Sequence, residues 1–158
     1  MEADRDTMAR DNRQISIQLE LRANEVVAQK GLTAMQAHML LYILRDPEQG
    51  ASLTDIHRAF GYSMASLSGL VKRLREKGYV RVERCAGDDR RKLLFATEKG
   101  RAVQESLDRS IQAVQARLYD RFTPEELTEL DRMQKKMLHN LSQTGEMTNK
   151  SNGIKSRG

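Results

Sequence analysis

SLTDIHRAFGYSMASLSGLVKRLREKGYVRVER, residues 52–84, reads in order as a short helix, a tight turn, a longer helix and the start of a strand. Ser52 is an N-cap residue type, and Leu53, Ile56, Ala59 and Phe60 follow as apolar positions before Gly61 closes the segment. Ser63 starts the next helix, which runs to about Lys77 and is closed by Gly78. Only Gly61 and Tyr62 separate the two, which is the shape of a helix-turn-helix. In the second helix Leu67, Leu70, Val71 and Leu74 fall at i, i+3, i+4 and i+7, a single stripe that packs inward. At about 100° per residue, Ala65, Gly69 and Lys72 then point most directly outward, with Ser66, Ser68 and Arg73 at the margins and Glu76 one turn beyond.

After Gly78 the period changes. Tyr79 to Arg84 and Lys92 to Thr97 are short alternating runs with β-branched and aromatic content, and the polar stretch Ala86-Gly87-Asp88-Asp89-Arg90-Arg91 lies between them. The spacing predicts a β-hairpin whose charged tip carries Arg90 and Arg91. Thr97 then caps a long helix with Val103, Leu107, Ile111, Val114 and Leu118 on its apolar face. Thr123-Pro124-Glu125-Glu126 combines an N-cap threonine, a proline at the first helical position and a capping-box glutamate, so a last helix follows with Leu127, Leu130, Met133, Met137 and Leu141.

Upstream, Ile15, Leu19, Ala23 and Val26 mark an amphipathic helix over about Met8 to Ala28, widened by Ile17 and Leu21 and ended by Gly31. Thr33 with Gln36 has capping-box spacing and opens a helix carrying Met35, Met39, Leu40, Ile43 and Leu44, which stops before Pro47. Asp46 to Ala51 reads as a loop. The expected fold is mainly α with a small β-hairpin wing. Residues 144–158, polar and slightly basic, read as a disordered tail.

Composition and charge narrow the function. The 158 residues are 39% hydrophobic and 31% charged with 2 prolines, a globular profile. The longest purely apolar run, Met39 to Leu44, is far below the roughly 18 residues of a membrane span. The charged first residues carry no secretory signal, so a cytoplasmic protein is expected. The net charge of +5 is uneven: residues 51–100 hold eleven basic and six acidic groups, whereas residues 1–50 hold six and eight. A basic middle third points to a polyanion, and nucleic acid is favoured over membrane because these charges do not lie on a strongly apolar helix.

An enzyme is not expected. His38, His57 and His139 lie far apart without metal-ligand spacing, no Gly-rich phosphate loop is present, and the single cysteine, Cys85, has no evident base partner. Neither a metal nor a cofactor is expected. RNA binding is disfavoured because no aromatic stacking platform accompanies the charge.

The outward face of the helix from Ser63 to Lys77 begins small and hydroxylated and becomes cationic. This suits entry into a DNA major groove by its N-terminal end, with phosphates held further along. The candidate DNA contacts are Ser63, Ala65, Ser66, Ser68, Gly69, Lys72 and Arg73 on the helix, and Arg90 and Arg91 in the wing, where arginine has the reach for an adjacent minor groove. Serine discriminates poorly between bases, so the face reveals little of an operator sequence. Gly69 costs about 1 kcal/mol relative to alanine inside a helix. Close approach to base edges supplies one reason for it, and a tolerated surface glycine is the plain alternative.

The wing carries Asp88, Arg90, Thr97 and Gly100 at the offsets of the pattern D-x-R-x-x-x-x-x-L-T-x-x-G, with Ala96 where leucine is usual. Leu74 with Lys77-Gly78 also matches a recognition-helix ending of the form L-x-x-x-G. In these features the segment from Ser52 to Gly100 resembles the winged helix-turn-helix core of the MarR family of transcription regulators. The likeness extends through generic flanking helices over roughly residues 8–143.

The resemblance implies a winged helix-turn-helix core at residues 32–100, dimerisation helices at 1–31 and 101–143, and a homodimer on double-stranded DNA with a pseudo-palindromic operator. It implies DNA contact by residues 63–73 and Arg90, although relatives often have arginine at the position of Gly69. It also implies a repressor relieved by a small aromatic effector, for which His38 and Tyr42 lie on the lining helix. Dimerisation follows independently from terminal apolar stripes that exceed what a small winged core covers. Two alternatives stand beside this reading: a winged-helix module that binds a protein partner, and a redox-responsive regulator acting through Cys85, whose thiol is flanked by Arg84.

Overall fold

The computed structural model describes residues 1–85 and 87–142, and for Cys85 and residues 88–91 it describes the backbone alone. The tail expected at residues 144–158 lies outside the described residues. The chain divides into two compact units, residues 1–116 and 117–158.

The first unit opens with α1 (Arg5–Val27), capped by Asp4, whose side chain accepts from the Asp6 N–H. A single 3₁₀ turn, Ala28–Lys30, makes an elbow that ends at Gly31. The period identified this helix, but of its stripe only Ala23 is buried, and Ile15 and Val26 are exposed. Val27 is buried and Val26 exposed, because neighbouring residues on a helix differ by about 100° and the elbow fixes the rotation of the last turn. α2 (Ala34–Leu44) begins at the predicted capping box, with Thr33 accepting from the Gln36 N–H and Gln36 Oε1 accepting from the Thr33 N–H. The first residue of α2 is fastened back to α1, the Ala34 N–H donating to Asn24 Oδ1 at 2.6 Å.

α3 (Leu53–Phe60) and α4 (Met64–Glu76) form the helix-turn-helix, and α4 buries Leu67, Leu70, Val71 and Leu74 as their spacing requires. Ser52 caps α3 in a box with Asp55. α4 ends in a Schellman arrangement: the Gly78 N–H donates to Arg75 O and the Tyr79 N–H to Leu74 O, with Gly78 at φ +81°.

The sheet differs from the expected hairpin in three ways. A two-residue strand, β1 (Ala51–Ser52), pairs with β3, so the sheet has three strands in the order β1-β3-β2. β2 (Val80–Cys85) and β3 (Asp88–Ala96) also leave a shorter connection than the polar composition suggested. Arg90 and Arg91 therefore lie within β3 and not at the tip. The register shifts between Arg84, opposite Lys92, and Cys85, opposite Asp88, so the extra residues of β3 are taken up as an irregularity in the ladder.

Thr97 does not cap one long helix. It caps α5 (Glu98–Ala102), after which the chain breaks at Val103 and resumes as α6 (Gln104–Leu118). Leu107 and Ile111 of α6 are buried in a core shared with α2, α4 and the sheet. In the second unit α7 (Pro124–Ser142) starts at the predicted box, where the Glu126 N–H donates to Thr123 Oγ1 and the Thr123 N–H to Glu126 Oε1.

No helix among the described residues is long and apolar enough to cross a membrane.

Candidate nucleic-acid interface

The buried stripe of α4 leaves Met64, Ala65, Ser66, Ser68, Gly69, Lys72, Arg73, Arg75 and Glu76 exposed on one helix. The structure thus brings together all the helical candidates. Their chemistry is not uniform. Ser63 is the N-cap: its hydroxyl accepts from the Ser66 N–H at 3.2 Å and is bonded to Ser66 Oγ at 2.9 Å. Ser68 donates to Met64 O at 3.0 Å. Both hydroxyls are already engaged within the helix, while the Ser63–Ser66 pair keeps one proton for an outside acceptor.

An apolar residue that the hydroxyl pattern obscured stands beside them. Met64, in the first turn of α4, is 46% exposed. A Cβ placed on Gly69 would meet nothing within 4 Å, so the absence of a side chain there is not imposed by the chain's own packing.

Lys72, Arg73 and Arg75 pair with no carboxylate among the described residues. Beside the N-terminal end of α4 lies a hollow of about 260 Å³, lined by Thr54 and Arg58 of α3, Met64 of α4 and Lys92 of β3 among others. Arg58 and Lys92 were missed as candidates because each is unremarkable in its own segment and only tertiary structure draws them together.

The remaining wing-signature residues have structural work. Thr97 Oγ1 accepts from the Gly100 N–H and donates to Gly78 O, so it fastens the end of β3 to the end of α4. Gly100 lies against Tyr79, where an added Cβ would stand 2.4 Å from Tyr79 O. Ala96, the departure from the pattern, is buried and would lie 3.3 Å from that Cβ. The side chains of Asp88, Arg90, Arg91 and Cys85 lie outside the described residues.

The two effector candidates, His38 and Tyr42, are one turn apart on α2, both half-buried. Tyr42 meets the edge of Phe60 at 5.6 Å between centroids, and Phe60 stacks on Tyr62 at 5.7 Å with a 3° interplanar angle. Burial, and then the charge of Glu20, raise the Tyr62 pKa. Sequence reasoning found one ring of this trio and missed the two contributed by the end of α3 and the turn.

Burial alone holds the His38 pKa below its ordinary value of 6.5. Its neutral form is therefore favoured in the folded state, and the associated stability is complete above that value and lost as pH falls through the lower folded value. Urea unfolding between pH 7.5 and 5 is expected to show a steeper acid-side loss in the wild type than in His38→Gln. The difference stays well under the one-proton limit of about 1.4 kcal/mol per pH unit, because the ring is partly in water. Parallel profiles would contradict this assignment. Among the described residues no group of His, Cys, Asp and Glu side chains could hold a metal ion.

Residues 30–91 match the family model described as MarR family. Solved structures share the fold. The putative MarR family transcriptional regulator from Listeria monocytogenes, complexed with a 26mer DNA, is 23% identical at a TM-score of 0.79, with 100% of both chains covered. MepR from S. aureus, in a DNA complex, is 24% identical at a TM-score of 0.78, covering 88% of this chain and 99% of the other. CouR from Rhodococcus jostii RHA1, bound to p-coumaroyl-CoA, is 18% identical at a TM-score of 0.70, covering 79% and 86%.

Proposed function

We propose that this chain is a MarR-family winged helix-turn-helix protein, a reading supported by the match of residues 30–91 to that family's model, and that it is a homodimeric, sequence-specific DNA-binding transcriptional regulator that represses by occupying a promoter. The observation that carries the reading is α4: a helix locked by its apolar stripe, with its uncharged N-terminal surface and cations that pair with no carboxylate among the described residues all facing solvent. Residues 32–100 bind DNA. Met64, Ala65, Ser66 and Gly69 meet base edges in the major groove, Met64 offering an apolar surface to thymine methyl groups, while Lys72 and Arg73 hold phosphates. Ser63 and Ser68 shape the helix start. Arg90, with Arg91 beside it, reaches the neighbouring minor groove, and Arg58 and Lys92 extend the cationic surface beside α4.

Residues 1–31 and 101–143 make the dimer. Exposed apolar side chains on α1, including Ile15, Ile17 and Leu21, and on α7, including Met137, Leu138 and Leu141, support this role because a second copy removes them from water. A small aromatic ligand relieves repression by stacking near Tyr42, Phe60 and Tyr62, with His38 at the edge. The aromatic trio supports that part of the reading.

Titration of a selected operator at several salt concentrations tests the contact roles. Lys72→Ala is expected to weaken all sequences nearly alike and to reduce the salt slope by about one counterion for each lost phosphate contact. Arg90→Ala is expected either to do the same or mainly to relax A·T preference in the flank. Unchanged affinity and slope in both variants would overturn the interface.

A further inference from the structure

The C-terminal end of α4 is tied to the elbow at the end of α1 by a set of hydrogen bonds that neither the helix nor the turn requires for its own formation. Lys77, the C-cap of α4, turns its ammonium away from the cationic face. Its Nζ donates to Gly31 O and, at 2.9 Å, to Gln36 Oε1. Gln36 is almost wholly buried and also accepts from the Thr33 N–H, so the lysine is joined to the capping box of α2.

Two residues on, the Tyr79 hydroxyl donates to Lys30 O at 2.8 Å. From the other side Lys99 Nζ donates to Lys77 O at 2.7 Å and lies 4.5 Å from the centre of the Tyr79 ring. The start of α2, which carries Gln36, is in turn held to α1 where the Ala34 N–H donates to Asn24 Oδ1. A continuous chain of bonds therefore runs from α1 to the point where α4 becomes the wing.

The acceptors of Lys77 are neutral carbonyl oxygens, and no carboxylate among the described residues neutralises it. Its charge strengthens two directional bonds to groups 46 and 41 positions earlier in the chain. A long side chain held at its tip fixes the distance between the backbones it spans. α1 carries an exposed apolar face and α4 carries the DNA-facing residues, so this distance sets where each reading helix stands relative to a dimer axis.

We propose that Lys77 is a positioning residue that sets the separation of the two reading helices, and hence the half-site spacing the dimer accepts. The inference rests on the dimeric DNA-binding reading above. Inserting one base pair between half-sites moves them apart by about 3.4 Å and rotates them by about 35°. A rigid dimer rejects this, and a loosened one tolerates it.

The test uses the full chain and an operator selected by the wild-type protein. Binding is measured on the operator, on the same operator with one added central base pair, and on a single half-site, with protein concentrations corrected for the folded fraction. The wild type is expected to lose about tenfold or more on the lengthened operator.

Lys77→Met keeps the stem and removes the donor. It is expected to bind the half-site as the wild type does, to lose roughly tenfold on the native spacing, and to discriminate less than about threefold between spacings, as an intramolecular second contact weakens when its geometry is no longer held. Lys77→Arg restores donation and is expected to recover most of the discrimination. Gln36→Met removes one acceptor from the elbow side and is expected to relax spacing in the same direction, which keeps the test available if one variant folds poorly.

Full spacing discrimination in both Lys77→Met and Gln36→Met would overturn the proposal. Equal loss on the half-site and the operator would also overturn it, because a merely destabilised domain behaves that way. Absence of sequence preference in the wild type would instead be a failure of the DNA-binding reading.

Discussion

Leu138→Glu is expected to dissociate the protein into monomers and to lower its affinity for a two-half-site operator by about 10²- to 10⁴-fold, the advantage that linking two binding modules confers. Leu138 is 67% exposed and Leu141 is 69% exposed on α7, yet both lie on a helix with no buried residue. Large apolar side chains concentrated in this way on a terminal helix favour association because water is released from both copies. A carboxylate at the centre of such a contact must either lose its hydration without a partner or hold the copies apart. Sedimentation equilibrium and binding titration on the same preparation check the result, and Leu21→Glu on α1 tests the other terminal helix. A variant that remains dimeric and binds as the wild type would exclude this face from the interface.

The second large effect concerns folding. Gly100→Ala is expected to destabilise the protein by about 1–3 kcal/mol, the usual cost of forcing atoms into a packed core, because its Cβ would stand 2.4 Å from Tyr79 O, 3.3 Å from Ala96 Cβ and 3.4 Å from Leu40 Cδ1. Tyr79 O and Ala96 Cβ are not the loose ends of flexible side chains, and only Leu40 Cδ1 stands at an ordinary contact distance. The backbone at Tyr79 is held by its bonds to Leu74 O and from the Thr97 N–H, so relief requires α5 to move from the sheet. Gly69→Ala is the internal comparison: its Cβ meets nothing and stabilises the helix by up to about 1 kcal/mol. Thermal unfolding of the two variants is expected to shift in opposite directions, by roughly 2–4 °C for each kcal/mol. A shift of the same sign and size in both would contradict the packing described at Gly100.

These two glycines illustrate what can be read from a chain and what cannot. The inward stripe of α4 was legible because Leu67, Leu70, Val71 and Leu74 form a local pattern that one helix must bury on one side. The capping boxes at Thr33 and Thr123 were legible for the same reason, since all their atoms lie within four residues. β1 was not, because two residues carry no period and their strand character comes only from pairing with Leu93 and Leu94. Gly50 beside it, at φ +69° and with no room for a Cβ against Leu94 O, acquires its meaning from the same distant strand.

Residues 88–91 looked like a turn by composition but belong to β3, with Asp88 opposite Cys85 and the ladder irregular between it and Lys92, and the apolar spacing from Val103 onward gave no mark of the break before α6. In the candidate site, the outward face could be derived from geometry. The engagement of the Ser68 hydroxyl, the approach of Arg58 and Lys92 to Met64 and the seat of Lys77 depend on contacts that sequence spacing does not encode.

The most direct test of sequence-specific regulation is selection of bound fragments from genomic DNA by the purified protein at near-physiological salt, followed by sequencing. Enrichment of a pseudo-palindrome with half-sites about one helical turn, roughly 10 base pairs, apart is the predicted result. Weak, salt-sensitive retention with no shared sequence, in the presence or absence of small aromatic ligands, would contradict it and leave the winged domain as a module for a protein partner.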